Sequence, residues 1–154
     1  MTLNLENTFE KIPEVALSWH ESEKGAILAT VIETWGSAPR RTGGQLVINA
    51  QGEMEGSVSG GCVEAAVIFE AMEALEMGQS KLLEYGVSDG DAFNVGLACG
   101  GRIRILVEPV GSVLPVDMLE ELVACRASRR AVAYCVNVKT QERRLVYKGF
   151  ETRM

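Results

Sequence analysis

Paired glycines adjoin a cysteine at two points of this 154-residue chain, Gly60-Gly61-Cys62 and Cys99-Gly100-Gly101. Glycine is used where φ must be positive or where a Cβ would block a close approach, so each pair marks a special backbone conformation. A third compact element, Gly36 to Gly44, is constrained by Ala38-Pro39. A thiol on tightly turned backbone can be reached by a ligand or by another chain, and we expect the chemistry of the chain at these elements.

The length of the chain fits one domain, and we expect residues 1–154 to fold as a single unit without a disulfide or a structural metal. Hydrophobic residues make up 47% of the sequence and charged residues 23%, which is ordinary for a globular protein. The formal net charge is -6, and no stripe of lysine and arginine is interleaved with aromatic residues. Because nucleic-acid binding depends largely on neutralising phosphates, we expect no nucleic-acid partner.

No apolar run approaches the roughly 18 to 20 residues that span a bilayer, and the segment from Met1 to Glu10 lacks the basic and then apolar order of a signal peptide. We therefore expect a cytoplasmic protein with no membrane partner. Its four cysteines are then expected as thiols, because disulfides belong to oxidising compartments.

The spacing of apolar residues predicts where helices and strands lie. From Val63 to Met77 apolar residues recur with the helical period, and Gly78 is a natural C-terminal stop. Helices are predicted over 13–23, 63–77 and 117–128, and strands over 26–35, 45–50, 54–58, 81–87, 102–109, 131–139 and 143–148. These elements predict an α/β protein of the α+β type, with a mixed, mainly antiparallel sheet covered by about three helices in a single domain.

The segment from Ser57 to Glu64 leads from a strand into a helix and carries Cys62. Backbone N–H groups at a helix N-terminus can hold a phosphate, and a thiol there has a lowered pKa and favours the thiolate form. Glu64 in the first turn suits the helix dipole. The residues leave two interpretations open: a reactive thiol beside an anion site, or a buried and inert cysteine with Glu64 as a cap.

Cys99 ends a long connection and is followed directly by a strand, so no helix dipole activates its sulfur. Gly100 and Gly101 either let a ligand approach a pocket that Cys99 shares with Cys62, or form a turn that packs a small side chain. Both interpretations stay open at this point.

The loop from Gly36 to Gly44 offers Ser37, Arg40 and Arg41 on constrained backbone after a strand. The arginine guanidinium matches a phosphate bidentately, and a serine hydroxyl can add a neutral hydrogen bond. Arginines in a surface loop are more often solvated than bound to a ligand, but two arginines beside the rigid Ala38-Pro39 slightly favour ligand binding. The loop is therefore a candidate anion site.

Three segments taken in order, Thr30 to Arg41, Gly60 to Glu64 and Cys99 to Gly101, resemble the xanthine dehydrogenase accessory factor family (XdhC/CoxI). The resemblance implies an accessory protein for molybdenum hydroxylases of the xanthine dehydrogenase or CO dehydrogenase type. Such proteins bind the molybdenum cofactor as cargo, protect it, assist its sulfuration with a cysteine desulfurase, and deliver it to the hydroxylase apoenzyme. The implied role is that of a chaperone without turnover of its own.

The resemblance also implies the residues that bind the cofactor, which is molybdopterin or its dinucleotide form. Arg40 and Arg41 would take its anionic end, and Cys62 would lie toward the metal. No residue is assigned to catalysis or to a resident metal. The predicted cofactor-binding residues are Ser37, Arg40, Arg41, Gly60, Gly61, Cys62, Glu64, Cys99, Gly100 and Gly101.

Many members of this family continue into a C-terminal Rossmann-like domain, whereas the sequence here ends at Met154. The chain therefore resembles a stand-alone N-terminal domain, with a separate Rossmann-domain chain or a homo-oligomer as further candidate partners. Two alternative functions are open: a thiol-dependent sulfur-transfer enzyme that uses Cys62 or Cys99, and a regulatory interaction module that has lost the ligand.

Overall fold

A computed structural model of the chain describes residues 11–36, 41–59, 61, 63–86 and 101–149. These residues form three helices and seven strands, close to the predicted set. The helices are α1 (Ile12–Glu21), α2 (Glu64–Met77) and α3 (Val116–Ala127). The strands are β1 (Ile27–Trp35), β2 (Gln45–Ile48), β3 (Met54–Gly56), β4 (Lys81–Gly86), β5 (Arg102–Pro109), β6 (Val132–Val136) and β7 (Arg143–Tyr147).

Five strands form the main sheet in the order β3-β2-β1-β5-β4, and every neighbouring pair in it is antiparallel. The predicted α+β class, with three helices and an antiparallel sheet, is confirmed. The strands predicted over 131–139 and 143–148 are present as β6 and β7, which pair as a hairpin in a separate two-stranded sheet. Helix α3 stands between β5 and β6 in the chain, and the hairpin packs against this helix.

The strands predicted over 45–50 and 54–58 are present as β2 and β3, which form a hairpin held by the side chain of Asn49. The Asn49 Oδ1 accepts hydrogen bonds from the backbone N–H groups of Gln51 and Glu53, both at 3.0 Å. At the other end of the hairpin Gly56 has a φ of 94°, and a Cβ there would lie 2.3 Å from the carbonyl oxygen of Gln45. Only glycine fits this position, which ends β3 and turns the chain toward α2.

The core lies on both faces of the main sheet. Helix α2 covers one face, and α1 and α3 cover part of the other. The β6 and β7 hairpin packs beside α3, where Cys125 is buried against Leu145 and Tyr147. The side chains buried under α2 include Ile27, Ala29, Val31, Leu46, Ile48, Ile103, Ile105 and Val107.

A β-bulge in β1 redirects the last residues of this strand. Val31 pairs with Ile105, but Glu33 pairs with Arg104, so β1 advances two residues while β5 advances one. Because directly paired side chains share a face, the bulge places Glu33 on the same face as Arg104, opposite to the face that α2 covers. The Arg104 guanidinium forms an ion pair with the Glu33 carboxylate there.

The longest helix in the described part of the chain has 14 residues, and none of the described helices has the length and apolar content needed to cross a bilayer.

Candidate functional site

The segments that carry the three sequence motifs all leave the main sheet at one end. At this end β1 stops at Trp35, β2 starts at Gln45, and β3 stops at Gly56. Strand β4 stops at Gly86, which pairs with Arg102, the first residue of β5. Neighbouring strands are antiparallel, so the loop after β1, the turn after β3 and the segment before β5 all adjoin the same end of the sheet, at the strand termini. We call it the motif edge.

Gly36 and Gly101 bring the first and third motifs together at the motif edge. A Cβ placed on Gly36 would lie 3.7 Å from the Cα of Gly101, and Gly36 has a φ of 67°. Gly101 itself is buried. The backbones of the two motifs are therefore in van der Waals range of each other, and the positive φ of Gly36 is the feature that favours glycine there.

The second motif is organised around the carboxylate of Glu64, the first residue of α2, which is only 6% exposed. Its Oε2 accepts hydrogen bonds from the Ser57 hydroxyl at 2.8 Å and from the backbone N–H groups of Val58 and Ser59, both at 3.0 Å. Its Oε1 accepts hydrogen bonds from the Gly61 N–H at 2.9 Å and from the Ser59 hydroxyl. The turn from β3 to α2 is thus wrapped around one buried carboxylate.

The electrostatics of this turn keep Glu64 charged. Burial would by itself raise the pKa of Glu64, but the hydrogen bonds from Ser59, Ser57 and Val58 outweigh it and lower the pKa from 4.5 to about 2. The Ser59 hydroxyl oxygen also accepts a hydrogen bond of 2.9 Å from the Val63 N–H at the start of α2. The described residues of the turn are therefore cross-linked by hydrogen bonds, and the Glu64 carboxylate stays charged at neutral pH.

This arrangement refines the expectation that the start of α2 holds an anion. The N–H groups of Val58, Ser59 and Gly61 already donate to Glu64. These three N–H groups therefore bind the Glu64 carboxylate and not an external anion. Glu64 thereby shapes the turn between β3 and α2, the part of the chain to which Gly60, Gly61 and Cys62 belong. The serine hydroxyls of this turn were missed in the sequence, where the pattern Ser-Val-Ser-Gly-Gly ahead of a helical glutamate is their signal.

Of the other predicted site residues, three lie within the described part of the chain. Arg41 is exposed, and its carbonyl oxygen accepts a hydrogen bond of 3.0 Å from the Gly44 N–H at the start of β2. Gly61 is exposed with a φ of 107°, and Gly101 lies beside Gly36. Six predicted residues lie outside the described residues, and their roles stay predictions: Ser37, Arg40, Gly60, Cys62, Cys99 and Gly100.

Comparison with known proteins gives matches to the part of the chain that forms this edge. The model of the XdhC and CoxI family matches residues 19–86. The molybdenum cofactor insertion chaperone PaoD of Escherichia coli K12 is 41% identical over 95 residues, which are 62% of this chain and 30% of PaoD. A protein of Bacillus subtilis 168, named as a probable xanthine dehydrogenase component, is 33% identical over 93 residues, 58% of this chain and 28% of that protein. The matched stretch is thus less than a third of either relative.

A solved structure shares the fold over most of the chain. A crystal structure described as a xanthine dehydrogenase from Bacillus halodurans aligns with a TM-score of 0.68 at 19% identity, covering 92% of this chain and 44% of the other. At this identity the likeness concerns the fold alone. The residues matched by the family model include the first two motifs and the Glu64 turn. The resemblance to the XdhC and CoxI family is therefore confirmed over residues 19–86.

Proposed function

We propose that this chain binds the molybdenum cofactor as cargo and assists its sulfuration or its insertion into a molybdenum hydroxylase of the xanthine dehydrogenase or CO dehydrogenase type. The observation that carries the proposal is that β1 and β3 end, and β5 begins, at the motif edge, where Gly36 lies beside Gly101. Similarity to a molybdenum cofactor insertion chaperone supports the nature of the cargo. The partners of the proposed function are a hydroxylase apoenzyme and a cysteine desulfurase.

The chemistry of the edge suits this cargo. The cofactor combines a phosphate or pyrophosphate with a metal held by sulfur, so it needs cations at one end and soft ligands at the other. Arg41 is exposed at the edge and can take the anionic end. Cys62 stands two residues before α2, whose dipole favours a thiolate, while the fixed charge of Glu64 opposes ionisation. The balance of these two effects sets the reactivity of the thiol.

Transfer of the cofactor to an apoenzyme tests the proposal. The parent chain, loaded anaerobically, should restore activity to a molybdenum hydroxylase apoenzyme in the presence of a cysteine desulfurase. Cys62→Ala should reduce both the cofactor bound and the activity restored by about tenfold or more, the scale on which even outer-shell partners act at metal sites. Cys135→Ala is the matched control, because this half-buried free cysteine lies on β6.

Two outcomes would count against the assignment. If the loaded parent chain restores no activity, the proposed delivery is wrong. If Cys62→Ala retains and delivers the cofactor as well as the parent, the role of the thiol is wrong, even though the chain still acts as a carrier.

A further inference from the structure

Trp35 and Arg102 form an exposed pair at the motif edge. They face each other as the last residue of β1 and the first residue of β5. The guanidinium carbon of Arg102 lies 5.9 Å from the centroid of the Trp35 ring, within the range of a cation–π contact. Trp35 remains 42% exposed, whereas Trp19, the other tryptophan, packs against the core. A large indole is thus held in a fixed place with much of its surface open.

The fold places both side chains on the same face of the sheet. The bulge after Val31 reverses the alternation of β1, so Trp35 faces away from α2 together with its partner Arg102. On the far side of Arg102 stands Gly86 of β4, where a Cβ would lie 3.0 Å from the Arg102 Cβ. The absence of a side chain at Gly86 leaves room for the stem of Arg102 beside β4.

The contacts of Arg102 orient its side chain but leave its guanidinium open to a ligand. Its Nε lies 3.6 Å from the Glu84 carboxylate, and half of the arginine side chain, 51%, is exposed. An ion pair of this exposure is weak, so the guanidinium stays available to a stronger anion. Arginine is suited to phosphate because its planar fork can donate two hydrogen bonds at once.

The pair adjoins the contact between Gly36 and Gly101 in sequence. Trp35 directly precedes Gly36 and Arg102 directly follows Gly101, and these are the glycines that approach each other at the motif edge. A ligand lying across the two glycine backbones would therefore meet the indole and the guanidinium next.

We infer that Trp35 and Arg102 form a platform that stacks the planar heteroaromatic ring of a phosphate-bearing ligand. Indole faces stack on nitrogen heterocycles of this kind, and an adjacent arginine can take the attached phosphate. The inference rests on the proposed function, and within it the ring is either the pterin of the cofactor or the base of its dinucleotide form. Both ligands present a planar nitrogen heterocycle together with a phosphate group.

Equilibrium binding of a pterin, with and without a phosphate group, and of GMP and CMP to the full chain tests the platform. The parent should bind the pterin probe, the nucleotides, or both. Trp35→Ala should weaken that binding by about tenfold or more, as expected for loss of one stacked ring, whereas Trp35→Phe should keep most of it. Arg102→Met should weaken the phosphate-bearing probes and spare the unphosphorylated pterin.

Phe69→Ala is the matched control, because Phe69 is an aromatic residue of α2 that is 67% exposed. Binding of the pterin probe alone would identify the pterin as the stacked ring, and binding of a nucleotide alone would identify the base. If the parent binds none of the probes, or if Trp35→Ala binds them as tightly as the parent, the platform is refuted. The molybdenum content of the purified parent chain tests the proposed function separately. If the parent and the Trp35→Ala chain carry equal amounts of cofactor, the platform is refuted but the proposed function is not.

Discussion

Replacing Glu64 with glutamine should lower the free energy of unfolding by about 2–4 kcal/mol at neutral pH. The Glu64 carboxylate accepts five hydrogen bonds from described residues, and both of its oxygens face N–H and hydroxyl donors. Glutamine has the same shape, but its NH2 group would point at some of these donors. Each orientation of the amide therefore leaves buried donors unpaired, and the turn from β3 to α2 should loosen.

Urea unfolding of the parent and of Glu64→Gln at several pH values measures this effect. The pKa of Glu64 is lowered to about 2, so its contribution is fully present above about pH 4.5 and is lost as the pH falls toward 2. The parent should therefore lose about 3 kcal/mol over this window from this group, and the variant should lack that part of the pH dependence. Glu76→Gln, an exposed glutamate of the same helix, is the control and should change stability by less than about 0.5 kcal/mol.

The same variant connects stability to the proposed site. Because Glu64 shapes the turn that carries Gly60, Gly61 and Cys62, loosening it should also reduce cofactor binding at temperatures where the variant is still folded. A Glu64→Gln chain that unfolds at the same urea concentration as the parent would show that the buried hydrogen bonds do not hold this turn.

Replacing Arg143 with methionine should destabilise the protein by about 3–5 kcal/mol, because it leaves a buried carboxylate without its cation. Glu108 of β5 is 1% exposed, and its Oε2 accepts hydrogen bonds from the Tyr134 hydroxyl at 2.6 Å and from the Arg143 Nε at 2.9 Å. Arg143 lies on β7 and Tyr134 on β6. The cluster therefore joins the C-terminal hairpin to the main sheet through one buried charge pair.

Thermal unfolding of Arg143→Met at pH 5 and pH 8 checks the cause. Burial already raises the pKa of Glu108, with Tyr134 and Arg143 opposing the rise, and loss of Arg143 should raise this pKa further. A carboxyl with a raised pKa loses its stabilising effect as the pH rises through that value, so the variant should be less destabilised at pH 5 than at pH 8.

Two further variants separate the effect of the lost charge from the effect of altered packing. Arg144→Met, at the exposed next position of the same strand, should change stability little. A triple variant with Glu108→Leu, Tyr134→Phe and Arg143→Met removes the whole polar cluster and should regain most of the loss. If Arg143→Met alone is as stable as the parent at pH 8, the buried pair does not hold the hairpin in place.

Local patterns in the sequence account for most of the fold. The helical period between Val67 and Ala74 and the Gln51-Gly52 turn predict α2 and the hairpin of β2 and β3 because each depends on neighbours in the chain. The bulge after Val31 leaves no such signal, because it depends on how β1 meets β5, a strand far along the sequence. The exposure of Trp35 on the face away from α2 follows from this bulge and was therefore missed.

The sequence indicated which residues belong to the candidate site better than it indicated what each residue does there. The glycines of the motifs indicated special backbone positions, and the backbones of Gly36 and Gly101 do lie side by side. Glu64 was expected to suit the dipole of α2, but its carboxylate reaches back to Ser57 and Ser59, a contact set by the path of the turn. The partnership of Glu108 with Arg143 joins residues 35 positions apart and has no local signal either.

The most direct test of the central claim, that the motif edge carries the molybdenum cofactor, is the cofactor content of the purified chain. The protein would be isolated under anaerobic conditions from a molybdenum-replete host, and bound molybdenum would be measured together with the fluorescence of the oxidised pterin. We expect both in amounts close to that of the protein, with a marked fall in the Cys62→Ala chain. Absence of molybdenum and pterin from the parent, at a sensitivity that would detect stoichiometric binding, would contradict the account.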